Sequence, residues 1–326
     1  MAKKTKWGIL ATGRIAGQFA RGLASAEGAE LVACGSRSRQ SADAFAAEHG
    51  IGRACGSYQQ LAAQSDVDVI YIATPHTEHC ENTLLCLQHG KAVLCEKPFA
   101  VNVDQARRMV DAARSAGLFC MEAMWTRFFP AMAKLREILA AGTIGQPRLV
   151  QADFGFRTGW DPQSRLLNPD LAGGGLLDVG VYAISLASMV LGPAQRATGL
   201  AEIGDTGVDT QAGMVLQHDG GAISVLACGV RTQTPQDAWV LGSEGRIRIH
   251  SPFWKPAKLT VYSGDSEQTI QPDCRGNGYN YQAEHVADCL QAARTESPVM
   301  PLDETVRIIR TMDQFRSQWG LQYPFE

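Results

Sequence analysis

Short apolar runs alternate with amphipathic stretches through the first part of the chain. Lys6 to Ala11, Glu30 to Gly35, Val67 to Ala73 and Ala92 to Cys95 are brief runs bounded by glycine, proline or polar residues. That is the pattern of strands buried on both faces. The segments between them carry apolar residues at helical spacing: from Arg14 to about Ala26, from Ser41, from about Glu78 to His89, and from Val103 to Ala116. Gly117 then leads into a strand expected over Leu118 to Met121. Alternating strands and helices predict a doubly wound parallel sheet. A helix from Ala131 to Ala141 follows, and from Gln146 the period changes. Val150 to Arg157, Ala197 to Ile203, Gln211 to His218, Ala222 to Val230, Ala238 to Leu241, Arg246 to His250 and Lys258 to Tyr262 read as strands. Turns such as Asp219-Gly220-Gly221 and Ser243-Glu244-Gly245 separate them, so a second α+β domain with an open, mostly antiparallel sheet is expected. Gly173-Gly174-Gly175 and a helix over Leu176 to Leu191 interrupt this sheet. Gly278 to Ala293 and Leu302 to Trp319 read as the last helices. The expected organisation is an α/β first domain over 1–123, a second domain over 124–300, and a C-terminal helix, 301–326, packing back on the first.

The first strand runs into Ala11-Thr12-Gly13-Arg14-Ile15-Ala16 and a helix. Strand, glycine turn and helix form the entry to a Rossmann dinucleotide fold, where the helix N-terminus faces a pyrophosphate. Thr12, Gly13, Arg14 and Ile15 are therefore candidate cofactor residues, although Ala11 stands where the fingerprint wants its first glycine. The second strand ends in Ser36-Arg37-Ser38-Arg39, and Arg37 lies 24 residues after Gly13. An acidic residue near this spacing holds a ribose 2′-hydroxyl, whereas an arginine suits a 2′-phosphate. Ser36 and Arg37 thus favour NADP over NAD; the alternative is a solvated loop capping the next helix.

Further stretches carry chemistry. Thr74, Pro75, His76 and His79 follow one strand, and Glu96-Lys97-Pro98 follows the next. Ligands in open parallel sheets bind beyond the carboxyl ends of strands, so a lysine there points at a ligand, with Pro98 restricting its backbone. A surface lysine paired with Glu96 is the alternative. His76 and His79 near Glu78 lack a third ligand at a recognised metal spacing, and packing on a cofactor fits them better. Trp125, Arg127 and Phe128 sit at another strand end, either as a substrate wall or as an apolar hinge; Phe156, Trp160 and Arg157 are further candidates for the substrate. Asp178 and Tyr182 are four apart and share a helix face, either in a site or as a helix-start charge and a core tyrosine.

Composition narrows the classes. The 326 residues are 45% hydrophobic and 19% charged with net charge -3, which argues against electrostatic nucleic-acid binding. Nine cysteines, an odd number with no C-x-x-C pair, argue against a disulfide framework or zinc site and fit a reducing cytoplasm. The run Trp7 to Ala11 behind Lys3, Lys4 and Lys6 is too short for a signal peptide. No segment reads as a membrane span; the best candidate, Leu176 to Leu191, contains Asp178, Tyr182 and two serines.

Along its whole length the sequence resembles the glucose–fructose oxidoreductase/inositol dehydrogenase (Gfo/Idh/MocA) superfamily. The resemblance rests on Gly8 to Ala16, on Ala73-Thr74-Pro75 with His79, on Glu96-Lys97-Pro98, and on the glycine-rich entry to Asp178. Lys91 to Pro98, Met121 to Pro130, and Asp178-Val179-Gly180-Val181-Tyr182 resemble the branch of dimeric dihydrodiol dehydrogenases and NADP-dependent D-xylose dehydrogenases. The resemblance implies a Rossmann domain followed by an α+β domain whose sheet often forms a homodimer. It implies reversible oxidation of a secondary alcohol or a sugar's anomeric carbon, with a small sugar or diol as substrate. Lys97 and Tyr182 would be the catalytic pair, Asp178 would place the substrate, Arg37 would hold the 2′-phosphate, and the Lys97–Pro98 bond would be cis. Two other classes exist on this fold: a non-catalytic nucleotide-sensing regulator, which has no use for Lys97, Asp178 and Tyr182 together, and a hydrolase using bound NAD, which the basic Arg37 disfavours.

Overall fold

The computed structural model describes residues 4–326, which divide into two compact units. One comprises the chain up to Phe128 together with Arg275–Thr305; the other comprises Phe129–Cys274 and Val306–Glu326. The first unit begins with β1 (Thr5–Leu10), α1 (Arg14–Leu23), β2 (Ala29–Gly35), α2 (Arg39–His49), β3 (Arg53–Cys55), α3 (Tyr58–Ala62), β4 (Val69–Ile72), α4 (His79–Gln88), β5 (Ala92–Glu96), α5 (Val103–Ala116) and β6 (Cys120–Ala123). Its strands pair in parallel in the order β3-β2-β1-β4-β5-β6. That order reverses direction between β1 and β4, where doubly wound folds bind their ligands. Ile9, Leu10, Ile70, Ile72, Val93 and Leu94 are wholly buried, which is why these strands read as continuous apolar runs. The pair β3 and α3 escaped the reading because three mixed residues and one helical turn leave no period to detect. Strand β6 starts later than expected. Gly117, at φ 62°, closes α5, and the Leu118 N–H bonds back to Ala113 at 3.1 Å. This moves Glu122 into the strand interior.

The second unit contains α6 (Pro130–Ala140), β7 (Pro147–Gly155), α7 (Val181–Leu191), β8 (Ala194–Ile203), β9 (Asp209–His218), β10 (Ile223–Gly229), β11 (Ala238–Gly242), β12 (Gly245–Ile249), β13 (Leu259–Ser263) and β14 (Ser266–Ile270). The sheet order is β14-β13-β12-β11-β7-β10-β9-β8; within this sheet, among the described residues, the β7–β10 pair is parallel and the others are antiparallel. Residues along β9 alternate between buried and exposed, so one face of the sheet is covered and the other open. The polar edge strand β14, exposed along most of its length, gave no apolar signal. Pro169–Leu191 is by length and composition apolar enough to cross a membrane, which corrects the expectation that no such segment exists. Its apolarity has another cause: most of the segment is buried inside the structure, with α7 in contact with β7 and β10.

Two helices close the chain, α8 (Tyr279–Gln291) and α9 (Leu302–Trp319). It is α8 that packs on α1 of the first unit. There Asn277 donates to the Gln18 carbonyl at 2.8 Å, and a Cβ at Gly22 would meet Tyr279 at 2.6 Å. Helix α9 is divided: Leu302–Thr305 belong to the first unit and the helix from Val306 onward to the second. Gln318 and Trp319 donate to the Ala197 and Gly199 carbonyls on β8 at 2.9 and 3.0 Å. An amphipathic helix is equally readable against either sheet, so its partner was not in the pattern.

Candidate active site

In the first unit the expected residues gather at the carboxyl ends of β1, β2, β4 and β5. After β1 the chain turns at Ala11, whose φ is 83°. This is the left-handed region that glycine adopts without cost, which explains the fingerprint's preference there. The Ala11 N–H is anchored to the Gly35 carbonyl at 2.9 Å. Gly13 precedes α1, which has no side-chain cap, and a Cβ at Gly13 would meet nothing within 4 Å. Thr12 and Ile15 are half-buried, while Gly13 and Arg14 are exposed. First-turn amides without a capping side chain, beneath open space, suit a pyrophosphate.

At the end of β2, Ser36 is buried and its N–H bonds the Cys55 carbonyl at 3.1 Å. Ser38 caps α2 by accepting from the Ser41 N–H at 3.3 Å. The two arginines separate. Arg39 pairs with Asp43 at 2.9 Å, whereas exposed Arg37 interacts with the Tyr58 hydroxyl. Burial raises the Tyr58 pKa and Arg37 opposes the rise. Tyr58 lies on the unpredicted α3, so sequence reading could not place it here.

Beyond β4, Pro75 is exposed and His76 half-buried. His79, expected among the cofactor contacts, has its ring held by backbone carbonyls. It is wholly buried, with Nδ1 2.9 Å from the Pro98 carbonyl oxygen and Nε2 3.0 Å from that of Thr74. Both ring nitrogens therefore serve the protein backbone. Desolvation lowers its pKa, against the raising effect of the carbonyls. Glu96, also expected among the cofactor contacts, is buried. It accepts from the Tyr71 hydroxyl and, at 3.1 Å, from the Lys97 N–H. Tyr71 stacks on Phe19 with ring centroids 3.7 Å apart, so this carboxylate is tied to the core. Lys97 is half-buried and the Lys97–Pro98 bond is cis, as the family resemblance implied. The Phe99 N–H donates to Glu122 Oε1 at 3.2 Å, and the Thr305 hydroxyl donates to Glu122 Oε2 at 3.1 Å. Burial pushes the Glu122 carboxyl up to about 7.

Trp125 and Arg127, expected at the substrate, are buried in the first unit. Trp125 is 5% exposed and stacks on Tyr279 at 4.3 Å. Arg127, expected to bind substrate, is 2% exposed and donates to Glu304 at 2.7 Å and to the Val299 carbonyl at 3.1 Å. A buried guanidinium must be paired, and these partners supply that pairing.

In the second unit the Gly173–Gly175 turn enters a π-helical segment, Leu176–Gly180, which continues as α7. Such wide turns recur at functional sites. Gly174 has φ 119°, and a Cβ there would run into Asp209 Oδ1. Asp209, wholly buried, accepts from the Leu176 N–H at 2.6 Å, and burial pushes its carboxyl up to about 7. The Tyr323 hydroxyl donates to the Gly173 carbonyl at 2.8 Å. Asp178 is buried and pairs with Arg165 at 2.8 Å, whose side chain is largely exposed. Tyr182 is buried, its ring 5.3 Å from that of Phe154, which stacks flat on Trp254 at 5.0 Å. Phe156 lies 6.3 Å from Phe154, while Trp160 stands exposed beneath Arg231 and Arg157 is exposed beside them. Asp178, Tyr182 and an aromatic wall thus share one unit. Phe154 was visible only as a strand residue, and nothing in the pattern singled out Trp254, Arg165 or Asp209. Among the described residues, no group of three or more His, Cys, Asp or Glu is arranged to hold a metal ion.

Two family profiles cover most of the chain. Residues 5–124 match the oxidoreductase family with NAD-binding Rossmann fold, and residues 132–248 match the GFO/IDH/MocA C-terminal domain. The chain belongs to the GFO/IDH/MocA oxidoreductase family, and its first unit is an NAD(P)-binding Rossmann domain. It is 40% identical to trans-1,2-dihydrobenzene-1,2-diol dehydrogenase of Mus musculus and 39% identical to that of Homo sapiens, each over 98% of both chains. Among solved structures, a 3-ketoreductase from Actinomadura kijaniata in complex with NADP and TDP-benzene matches with TM-score 0.84 and 25% identity, over 97% of this chain and 98% of that one. Aldose-aldose oxidoreductase from Caulobacter crescentus shares the fold, with TM-score 0.86 at 24% identity over 96% of both chains.

Proposed function

We propose that this chain is an NADP-dependent dehydrogenase/reductase acting on CH–OH groups, with Lys97 and Tyr182 as its acid–base pair and a dihydrodiol or sugar as substrate. The observation that carries the reading is the Lys97 turn: a half-buried lysine beyond β5, its backbone held on both sides by buried Glu96 and His79. A surface lysine needs no such hold. The α1 amides and Gly13 fit a pyrophosphate, and exposed Arg37 fits a 2′-phosphate, with NAD the alternative cofactor. When bound, the nicotinamide supplies the hydride acceptor or donor. In alcohol oxidation Tyr182 takes the hydroxyl proton at its phenolic oxygen. The Lys97 ammonium favours the phenolate and stabilises the developing alkoxide. Asp178, fixed by Arg165, orients the substrate hydroxyls. The flat Phe154–Trp254 pair suits the face of a ring substrate, and half-buried Phe156 extends it.

Two further features support finer parts of the reading. Leu200 is 84% exposed, and Val215, Ile223 and Val225 lie exposed on β9 and β10 near it, which supports a homodimer through this sheet face. Nine free cysteines, eight of them buried, support a cytoplasmic setting. Tyr182→Phe tests the assignment of the proton. The substitution is expected to lower kcat by about 100-fold or more while NADPH affinity stays within about threefold; unchanged turnover overturns it.

A further inference from the structure

Three consecutive residues after β5 each have a backbone group held by a different buried side chain. The Lys97 N–H donates to Glu96 at 3.1 Å, the Pro98 carbonyl meets His79 at 2.9 Å, and the Phe99 N–H donates to Glu122 at 3.2 Å. Glu96 and His79 belong to stretches already singled out for their chemistry. Glu122 does not. It lies inside β6 among Cys120, Met121 and Ala123, all four wholly buried. A carboxyl in a strand core carries a desolvation cost that an apolar residue there would avoid. It is therefore informative that both of its oxygens are used. One takes the Phe99 N–H, beyond the end of the β5 ladder, and the other takes the hydroxyl of Thr305, itself wholly buried in the first turn of α9. Arg127 and Glu304, paired with each other at 2.7 Å, are the charged groups that act on this carboxyl.

We propose that Glu122 is a positioning residue for Lys97, clamping the Lys97–Pro98–Phe99 turn through the Phe99 N–H while Thr305 fixes the carboxylate that does the clamping. The inference rests on the reading of Lys97 as a catalytic group. Its mechanics are direct: the turn's far side is pinned to β6, so the direction in which the Lys97 side chain leaves the backbone is set by two neighbouring strands. Loss of the clamp lets the ammonium wander, and a misplacement of about 1 Å costs on the order of 100-fold in rate.

The test uses the full-length protein with Glu122→Gln, Glu122→Leu, Thr305→Val and Lys97→Ala. Turnover is followed with NADP and either trans-1,2-dihydrobenzene-1,2-diol or D-xylose. In parallel, lysines are carbon-13 dimethylated, and the Lys97 resonance, identified by its absence in Lys97→Ala, is titrated. Glu122→Leu is expected to lose about 10- to 100-fold in kcat, with KM and NADP affinity within about threefold. Its Lys97 resonance should shift and broaden, which a purely packing role would not cause. Glu122→Gln keeps an acceptor for Phe99 and is expected to retain kcat within about threefold. If Glu122→Leu does not fold, Thr305→Val decides, with a smaller loss in the same direction. A Lys97 resonance and kcat unchanged in Glu122→Leu, or in Thr305→Val where it must decide, while Lys97→Ala is inactive, overturns the inference and leaves the catalytic reading standing. Full turnover in Lys97→Ala overturns the catalytic reading and, with it, the inference. With neither substrate turned over, the resonance alone decides for or against the clamp.

Discussion

The ring of His79 meets the Pro98 carbonyl oxygen at 2.9 Å, and its other nitrogen reaches Thr74 at 3.0 Å. One wholly buried imidazole thus braces the segments that follow β4 and β5. Replacing it with phenylalanine would fill the volume but leave both carbonyls facing an apolar ring. The neutral ring, its pKa lowered by burial, donates to one of the two carbonyls, so His79→Phe is expected to lose about 1–3 kcal/mol of stability, from one buried acceptor left without its donor. Urea denaturation measures this; a change below about 1 kcal/mol would show that the brace carries no weight.

The two buried carboxyls give a pH dependence of definite sign. Burial holds Glu122 at about 7 against an ordinary 4.5, and Asp209 at about 7 against 3.8. The folded state then binds these protons more tightly than the unfolded state. Their contribution is complete below the unfolded pKa values and is lost as pH rises through the folded ones, at up to about 1.4 kcal/mol per pH unit per group. Wild type should therefore lose stability relative to Glu122→Gln between pH of about 4.5 and 7. Denaturant titrations of both proteins across that window check it. A difference that grows in favour of wild type as pH rises is the opposite of what burial dictates.

Ala11 holds a φ of 83°, where a Cβ is strained. Strain of about 1–2 kcal/mol is relieved by glycine, and roughly 0.5–1 kcal/mol is returned to the flexibility of the unfolded chain. Ala11→Gly is expected to stabilise by about 0.5 kcal/mol and to leave NADP binding intact. The denaturation midpoint reads the first, and quenching of intrinsic fluorescence the second. A clear loss of stability would mean that the Ala11 methyl packs usefully.

Arg37 is exposed beyond β2, whereas Arg39 is occupied by Asp43. Removing a charge-assisted contact to a 2′-phosphate costs about 1.5–3 kcal/mol. Arg37→Ala should then weaken NADP by about 10- to 150-fold and leave NAD within about threefold. Binding titrations with both nucleotides make the comparison. Equal losses for the two would remove Arg37 from the 2′-phosphate.

Much of this fold was readable because buried parallel strands advertise themselves. Val93 and Leu94 have no polar face, and β9 alternates because one side of its sheet is open. What was not readable has a common cause: the partner lay far along the chain. The pairing of Arg127 with Glu304, 177 residues away, could not be read from the local pattern. The bond from Tyr71 to Glu96 and the two carbonyls at His79 were not readable locally either. Glu122 and Asp209 sit inside apolar or glycine-rich surroundings where local pattern gives no reason for a carboxyl; their reasons are Phe99 and Leu176. Lys97 and Tyr182 stood out because their local motifs are themselves unusual, not because a long-range partner was foreseen.

The reading of Lys97 and Tyr182 as the machinery of an NADP-dependent alcohol oxidation is tested most directly by nicotinamide absorbance. The purified chain is incubated with NADP or NAD and a panel of trans-1,2-dihydrobenzene-1,2-diol, aldoses and inositols, beside Tyr182→Phe and Lys97→Ala. The account predicts reduction of NADP in preference to NAD by a diol or one class of sugar, lost in both variants while each still binds NADPH. Tight NADPH binding with no net reduction by any member of the panel, or turnover that survives both substitutions, would contradict it.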